Sequence, residues 1–385
     1  MNPDLTAVNL NGGTVALTLA SGRIASVSPV AGPARAVILP LPIDAHVHLD
    51  KTHTIGRCSI SKPGLFGAIE AMAADKVNWT ASDLHIRAER GLAEAYANGT
   101  LAIRTHIDWN EASPPLAWSV IGELAQDWRG RMTVQRAALA PLDVLGDTDT
   151  GPKIAAQVAR DGGVLGCFVY RNSDLVAKLD RVFALAARHD LDLDFHVDEG
   201  LDPLANGFDT IVALTARYRM AGRVLCGHAC SLSVRPAPEV ARVLDAAARA
   251  GVALTVLPTT NSHLQDMTPG RTPRLRGLAP MHELRAAGVP VLLAADNVRD
   301  PFYPYGSYDL LDVLRQATFA AHLSPGQWLE TVTTAPATAL GLPVACIAPG
   351  EPADFLLIEG ADWSEVISSP RAKRHVVRAG QVSQP

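Results

Sequence analysis

Five short stretches of the chain carry residues able to hold a metal ion and move protons. They are Asp44-Ala45-His46-Val47-His48-Leu49-Asp50, Thr105-His106-Ile107-Asp108, His196-Val197-Asp198-Glu199, Gly227-His228 and Asp296-Asn297. His46 and His48 are two residues apart, and residues i and i+2 point the same way on a strand, so two imidazoles can reach one ion from a single strand. The His-x-His pair alone is a weak signal, because such pairs also arise on surfaces by chance. His196 and Asp296 strengthen it: three nitrogens and one carboxylate oxygen make a transition-metal site with room for a water. The competing reading is that four buried polar residues satisfy one another in the core, where any imidazole or carboxylate without a partner is costly. Glu199 stands three residues after His196. A carboxyl beside a metal-activated water can shuttle its proton, whereas the usual fate of a loop acid is solvation. His228 is a candidate to polarise or orient the reacting bond; taken singly it reads as a satisfied core histidine. Cys226 and Cys230 flank it, but no second cysteine pair exists, so a structural zinc site is not expected. The His-x-Glu…Pro-Cys-x-x-Cys signature is absent, which excludes that zinc-deaminase fold.

These residues fall on a regular rhythm. Strand candidates at 37–45, 101–108, 133–141, 163–170, 191–197, 224–228, 253–258 and 291–296 alternate with helical stretches at 81–98, 115–129, 151–161, 175–189, 207–220 and 238–250. Eight β/α repeats predict a (β/α)₈ barrel, in which the C-terminal strand ends converge on one face. The chemistry-bearing residues sit at five of those ends. The rival, a doubly wound open sheet, loses its usual support because no Gly-x-Gly-x-x-Gly follows the first strand. The two ends of the chain read differently from the middle: short β segments at 14–19, 23–30, 354–358 and 374–382, punctuated by glycines. We expect residues 1–40 and 345–385 to form one small β-domain, with 41–344 as the inserted barrel.

Composition narrows the rest. The 385 residues are 48% hydrophobic and 19% charged, which excludes disorder as the main state. A net charge of −5 without a basic run argues against nucleic-acid or membrane-surface partners. No apolar stretch near these residues approaches the roughly 20 residues a membrane span needs. The start of the chain lacks a basic region followed by an apolar core, and five cysteines are an odd count, so we expect reduced thiols and a cytoplasmic protein.

The segment Pro40-Leu41-Pro42-Ile43-Asp44-Ala45-His46-Val47-His48-Leu49-Asp50-Lys51 resembles the opening metal motif of the amidohydrolase superfamily. The four later chemistry-bearing stretches, with the run from Asp296 to Gly306, Leu65–Glu70 and Asn261–Gln265, resemble its cytosine deaminase-like branch. The likeness covers nearly the whole chain. It implies an α/β fold, a distorted (β/α)₈ TIM barrel with a small β-sandwich domain formed by both termini. It implies one divalent ion, Fe²⁺ or Zn²⁺, with His46, His48, His196 and Asp296 as ligands. It assigns Glu199 to protonating the substrate's ring nitrogen, His228 and Asp296 to activating the attacking water, and Asn297, Phe302 and Leu65 to substrate contact. Binuclear relatives carry a carboxylated lysine after strand four; here Phe168-Val169-Tyr170-Arg171-Asn172 has none, which favours one metal.

Two departures bear on the substrate. Cytosine deaminases carry a glutamine after strand three, where this chain has Ala138-Leu139-Ala140-Pro141-Leu142. They carry a second aspartate after the metal aspartate, where this chain has Asn297, a residue that both donates and accepts. Asn at this place resembles the branch that hydrolyses N-isopropylammelide. Asn297→Asp would restore the cytosine-deaminase residue and is expected to move selectivity toward cytosine about 10-fold if one hydrogen bond is at stake. The resulting expectation is a hydrolase of carbon–nitrogen bonds in cyclic amidines: a deaminase of cytosine, 5-methylcytosine or a related heterocycle, working as a homo-oligomer on a small-molecule substrate. The alternatives are hydrolysis of an N-alkylamino triazine or another cyclic amide, and a metal-binding protein without catalysis.

Overall fold

A computed structural model describes residues 5–383. The N-terminal part holds four strands, β1 (Val8–Leu10), β2 (Gly13–Ala20), β3 (Arg23–Pro29) and β4 (Ala36–Pro40). The middle holds eight more: β5 (Ile43–Val47), β6 (Ala102–Asp108), β7 (Thr133–Pro141), β8 (Cys167–Val169), β9 (Leu193–Val197), β10 (Val224–His228), β11 (Ala253–Val256) and β12 (Val291–Leu293). The C-terminal part adds β13 (Phe355–Glu359), β14 (Arg374–Arg378) and β15 (Gln381–Val382).

Strands β5 to β12 are parallel and paired in chain order, with helices between them. This is the expected distorted (β/α)₈ barrel. The shell helices follow from their spacing. Ala237–Ala250 buries Val240, Val243, Leu244 and Ala247, one stripe of a 3.6-residue period, and ends at Gly251 with φ 71° in the left-handed region that glycine tolerates. Ile43, Ala45, Ala102, Leu225, Ala253 and Leu292 plug the base of the barrel, covered by Ala337 and Leu340. At the opposite end the circle closes through one point: the Asp296 N–H donates to the His46 carbonyl at 2.8 Å, as part of a lone parallel bridge between Val47 and Asp296.

The other seven strands form one sheet in the order β15-β14-β13-β4-β1-β2-β3. The two ends of the chain meet where β13 runs antiparallel to β4, from Phe355 opposite Pro40 to Glu359 opposite Ala36. Side chains alternate as a strand requires. Ile38, Phe355 and Leu357 join Val8, Leu17 and Ile24 in a small separate core, while Val37, Leu39, Leu356 and Ile358 pack into the barrel's main core.

Two readings of the sequence change here. The single strand expected at 37–45 is two strands in two different sheets, split by Pro40-Leu41-Pro42, where two residues lack the N–H a ladder needs. The helix Gly64–Lys76, not read as an element from the sequence, walls the cavity described below. All five cysteines are free. No helix among the described residues is long and apolar enough to cross a membrane.

Candidate active site

The register of β5 against β6 shifts by one residue between Asp44 and Val47. Ile43 and Ala45 lie in the basal plug, yet Val47 lies among the helical shell, so this bulge resets the alternation just before the first histidine. His46 and His48 then both point into the barrel mouth. His46 Nε2 lies 3.0 Å from His196 Nε2, and His196 Nε2 lies 3.2 Å from His48 Nε2. Asp296 Oδ1 is 3.5 Å from His46 Nε2 and 3.2 Å from His48 Nε2. Gly227 permits this: a Cβ there would sit 2.8 Å from His46 Cε1.

These four residues fit a divalent cation. All are buried, and their ligand atoms lie within 4.8 Å of one another. Among the described residues no donor reaches either Asp296 carboxylate oxygen in good hydrogen-bond geometry, a large cost for a buried carboxylate unless a cation meets it. Burial first, and neighbouring histidines second, lower His46 and His196 well below the usual imidazole range; burial and Lys51 do the same for His48. Neutral imidazoles carry the lone pair a metal needs. The His48 Nδ1 lies 3.3 Å from the His106 carbonyl and 3.2 Å from Lys51 Nζ, contacts that hold the ring from behind with Nε2 turned to the other ligand atoms.

Backbone turns aim the remaining groups. His228, Ala229, Asp198 and Asp296 have φ of 72°, 48°, 48° and 62°, which redirect the chain where the strands end. Asp198 accepts the N–H groups of Gly207 and Phe208 at 3.2 and 2.9 Å and so anchors the helix Gly207–Tyr218 rather than facing the cavity. Glu199 follows it, buried, with Oε1 3.4 Å from His228 Nδ1. Burial, and then the Asp296 charge, push the Glu199 carboxyl well above its usual range, while burial lowers His228 to about 4. A neutral carboxyl at neutral pH is a proton donor, and a neutral imidazole is a base.

The site opens into a cavity of about 350 Å³. His48, His196, Glu199, His228 and Asn297 line its polar end, and Leu65, Ile69, Met72, Leu139, Phe168 and Phe302 form apolar walls. The residues assigned from the sequence to metal, proton transfer or substrate contact thus stand at one place, while Asp198 and His106 do not face the cavity. Leu139 and Pro141 occupy the wall where an amide side chain was found missing. Three participants were not singled out. Asn261 Nδ2 lies 2.9 Å from His228 Nδ1. Lys51 is buried at the cavity wall and paired with Asp108 at 2.7 Å. Asp300 accepts from Asn297 Nδ2 at 2.7 Å. Asn261, Lys51 and Asp300 lay within quoted motifs, but a motif does not say which neighbour each residue meets. His106, at the end of β6, lies beneath the site, 3.2 Å from Asp194, whose second oxygen accepts from Arg104 at 2.9 Å.

Residues 92–384 match the model of the amidohydrolase family. The chain belongs to the amidohydrolase family. Among curated relatives, this amidohydrolase is 40% identical to a pterin deaminase of Rhizobium rhizogenes over 352 residues, 90% of this chain and 80% of that one. It is 21% identical to an N-isopropylammelide isopropyl amidohydrolase of a Pseudomonas species over 90% of this chain and 85% of that one. Among solved structures, 5-methylcytosine deaminase from Klebsiella pneumoniae superposes with a TM-score of 0.84 at 23% identity, covering 98% of this chain and 96% of that one. N-isopropylammelide isopropylaminohydrolase from Burkholderia multivorans superposes with a TM-score of 0.80 at 26% identity over the same shares.

Proposed function

We propose that this amidohydrolase deaminates a nitrogen heterocycle by hydrolysis, with the pterin ring as its substrate class. The observation that carries the reaction type is Glu199: a buried, proton-bearing carboxyl in one cavity with four converging ligand atoms. A site that only stored metal would need no such group. The 40% identity to a pterin deaminase supports the substrate class, as does an apolar-walled cavity roomy enough for a flat bicyclic ring. The resemblance to cytosine deaminases thus supports the reaction, and the pterin relative narrows the ring.

On this reading His46, His48, His196 and Asp296 hold one divalent ion, Fe²⁺ or Zn²⁺. When bound, it lowers the pKa of the attacking water. Asp296 accepts a proton from that water, and neutral His228, whose Nδ1 faces the Asn261 amide nitrogen, orients the water oxygen through Nε2. The water oxygen bonds to the ring carbon bearing the amino group. Glu199 gives its proton to the adjacent ring nitrogen; the proton taken from the water passes from Asp296 to the amino nitrogen, whose bond to the ring carbon breaks, and ammonia leaves as the added hydroxyl returns its remaining proton to Glu199 and becomes the ring carbonyl. Leu65, Phe168 and Phe302 pack against the ring and exclude other water.

The test is ammonia release from iron- and zinc-loaded protein on pterins, cytosine, 5-methylcytosine, aminotriazines and creatinine-like rings. Turnover led by a pterin is expected. Full metal loading with no ammonia from any ring would overturn the proposal. Asn297 favours a second reading, shared with the N-isopropylammelide branch; release of an alkylamine from an N-alkylamino triazine, without ammonia from pterin, is its signature.

A further inference from the structure

Asn297 lines the cavity, yet its amide is held from behind. Three donors reach the buried Asp300 carboxylate. The Phe302 and Tyr303 N–H groups donate to Oδ1 at 2.8 and 3.1 Å, and Asn297 Nδ2 donates to Oδ2 at 2.7 Å. The two oxygens therefore have separate tasks, one bracing the turn after the metal aspartate and one engaging the amide. An ionised carboxylate only accepts. It draws the Nδ2 end of Asn297 toward itself, and the planar amide must turn its Oδ1 edge the other way. Asn297 shares the cavity wall with His48, His196, Glu199 and His228, so its side chain lies beside the reacting centre.

We infer that Asp300 is a positioning residue that sets the hydrogen-bonding sense of Asn297, so that the cavity presents an acceptor there and selects a heterocycle edge bearing an N–H donor. This rests on the deaminase reading above. It changes what residue 297 means. Asparagine offers a donor and an acceptor in principle, but with Asp300 behind it the cavity meets chiefly a carbonyl, much as it would meet an aspartate. It also reverses the expectation for Asn297→Asp. That substitution places a carboxylate against Asp300 where the two side chains now approach to 2.7 Å, and carboxylates so close in a buried site cannot both stay ionised, so the pair must take up and hold a proton at a cost that grows with pH. A general loss replaces the gain toward cytosine.

The pair predicts its own rescue. In Asp300→Asn the backbone N–H groups of Phe302 and Tyr303 still require an acceptor, so the new amide keeps its carbonyl toward them and turns Nδ2 toward residue 297. Asn297 must then offer its carbonyl backward and its N–H groups to the cavity. In the double variant N297D/D300N the backward amide donates to a carboxylate, whose other oxygen faces the cavity as an acceptor again.

The experiment measures kcat/KM on the best ring at pH 8, above the value of about 7 to which burial raises Asp300. Metal content and Tm are recorded for every variant. We expect Asn297→Asp to lose at least about 100-fold and Asp300→Asn on the order of 10- to 100-fold. The double variant should return to within about 10-fold of the parent. A double variant no better than the worse single, at parental metal content and Tm, overturns the inference and reduces Asp300 to a brace for the turn. If the double variant fails to load metal, Asp300→Asn decides. The ratio of kcat/KM between a ring with an N–H at its edge and the analogue with a bare ring nitrogen there should fall at least about 10-fold. An unmoved ratio overturns the inference. A parent protein inactive on every ring overturns the deaminase reading and this inference with it, whereas an active parent without rescue overturns this inference alone.

Discussion

The mouth and the base of the same barrel obey different rules. At the base, Ile43, Ala45, Ala102, Leu225 and Leu292 meet in an apolar plug. At the mouth, buried polar atoms lack hydrogen-bond partners in good geometry among the described residues, notably both oxygens of Asp296 and the Nδ1 atoms of His46 and His196. Four non-glycine residues that carry or turn the site, Asp198, His228, Ala229 and Asp296, sit at positive φ. Such positions typically cost about 1–3 kcal/mol each and persist only where the surrounding structure over-determines them. Between the two ends runs the Arg104–Asp194–His106 layer. The contrast teaches that one end supplies stability that the other spends on a site whose groups are satisfied only by a cation and a substrate.

Substitutions can break this division of labour. The largest effect on activity is expected from His196→Ala, which removes one of three imidazoles; metal content by elemental analysis and turnover should vanish together. Activity lost with metal fully retained would place His196 outside the ligand set. Glu199→Gln keeps the shape but cannot exchange a proton, so kcat should drop by about 10²–10⁴-fold with metal unchanged. The pH profile gives the sign: Glu199 works protonated, its pKa is raised, and kcat/KM should fall as pH rises through that raised value. This alkaline limb should disappear in the Gln variant; a limb that persists assigns it to another group.

Gly227→Ala should act on the same centre more gently. The new methyl presses on the His46 ring, and metal affinity, read by competition with a chelator, should weaken by about 10–100-fold, the range typical when support for a ligand is disturbed. Unchanged affinity would mean that the ring has room to shift. Leu292→Ala sharpens the comparison from the other end. Emptying this fully buried position should cost about 2–5 kcal/mol of stability by denaturant unfolding, while kcat per folded molecule stays near the parent value. A large drop in kcat at full metal occupancy would show that the base also tunes the mouth.

The histidines and acids were legible in the sequence because they stand at the C-terminal ends of strands whose apolar runs are easy to read. The alternation of side chains and the barrel rule then bring His46, His48, His196 and Asp296 together without any knowledge of contacts. The β4–β5 split was less legible: residues 37–43 are apolar throughout, and although Pro40 and Pro42 interrupt the ladder, nothing local says that the two halves pair with different sheets. The helix Gly64–Lys76 was missed because it exposes Phe66 and Ile69 and has no clear polar face, so the periodicity that marks a shell helix is absent.

By itself, then, the sequence determined the barrel and the candidate donor set, because both depend on residue type and on spacing along a strand, while the reaction class came from the resemblance of its motifs to the amidohydrolase superfamily. The tertiary structure alone decided how those residues are held. The bulge before Val47, the closure of the barrel through the Asp296 N–H and the His46 carbonyl, the Asn261 contact to His228 and the turning of Asn297 by Asp300 are all of this kind. Each is a hydrogen bond or register choice among several that the same residues could make. Packing elsewhere in the chain selects one, and a planar amide such as Asn297 has no donor or acceptor sense toward a substrate until a neighbour takes its other edge.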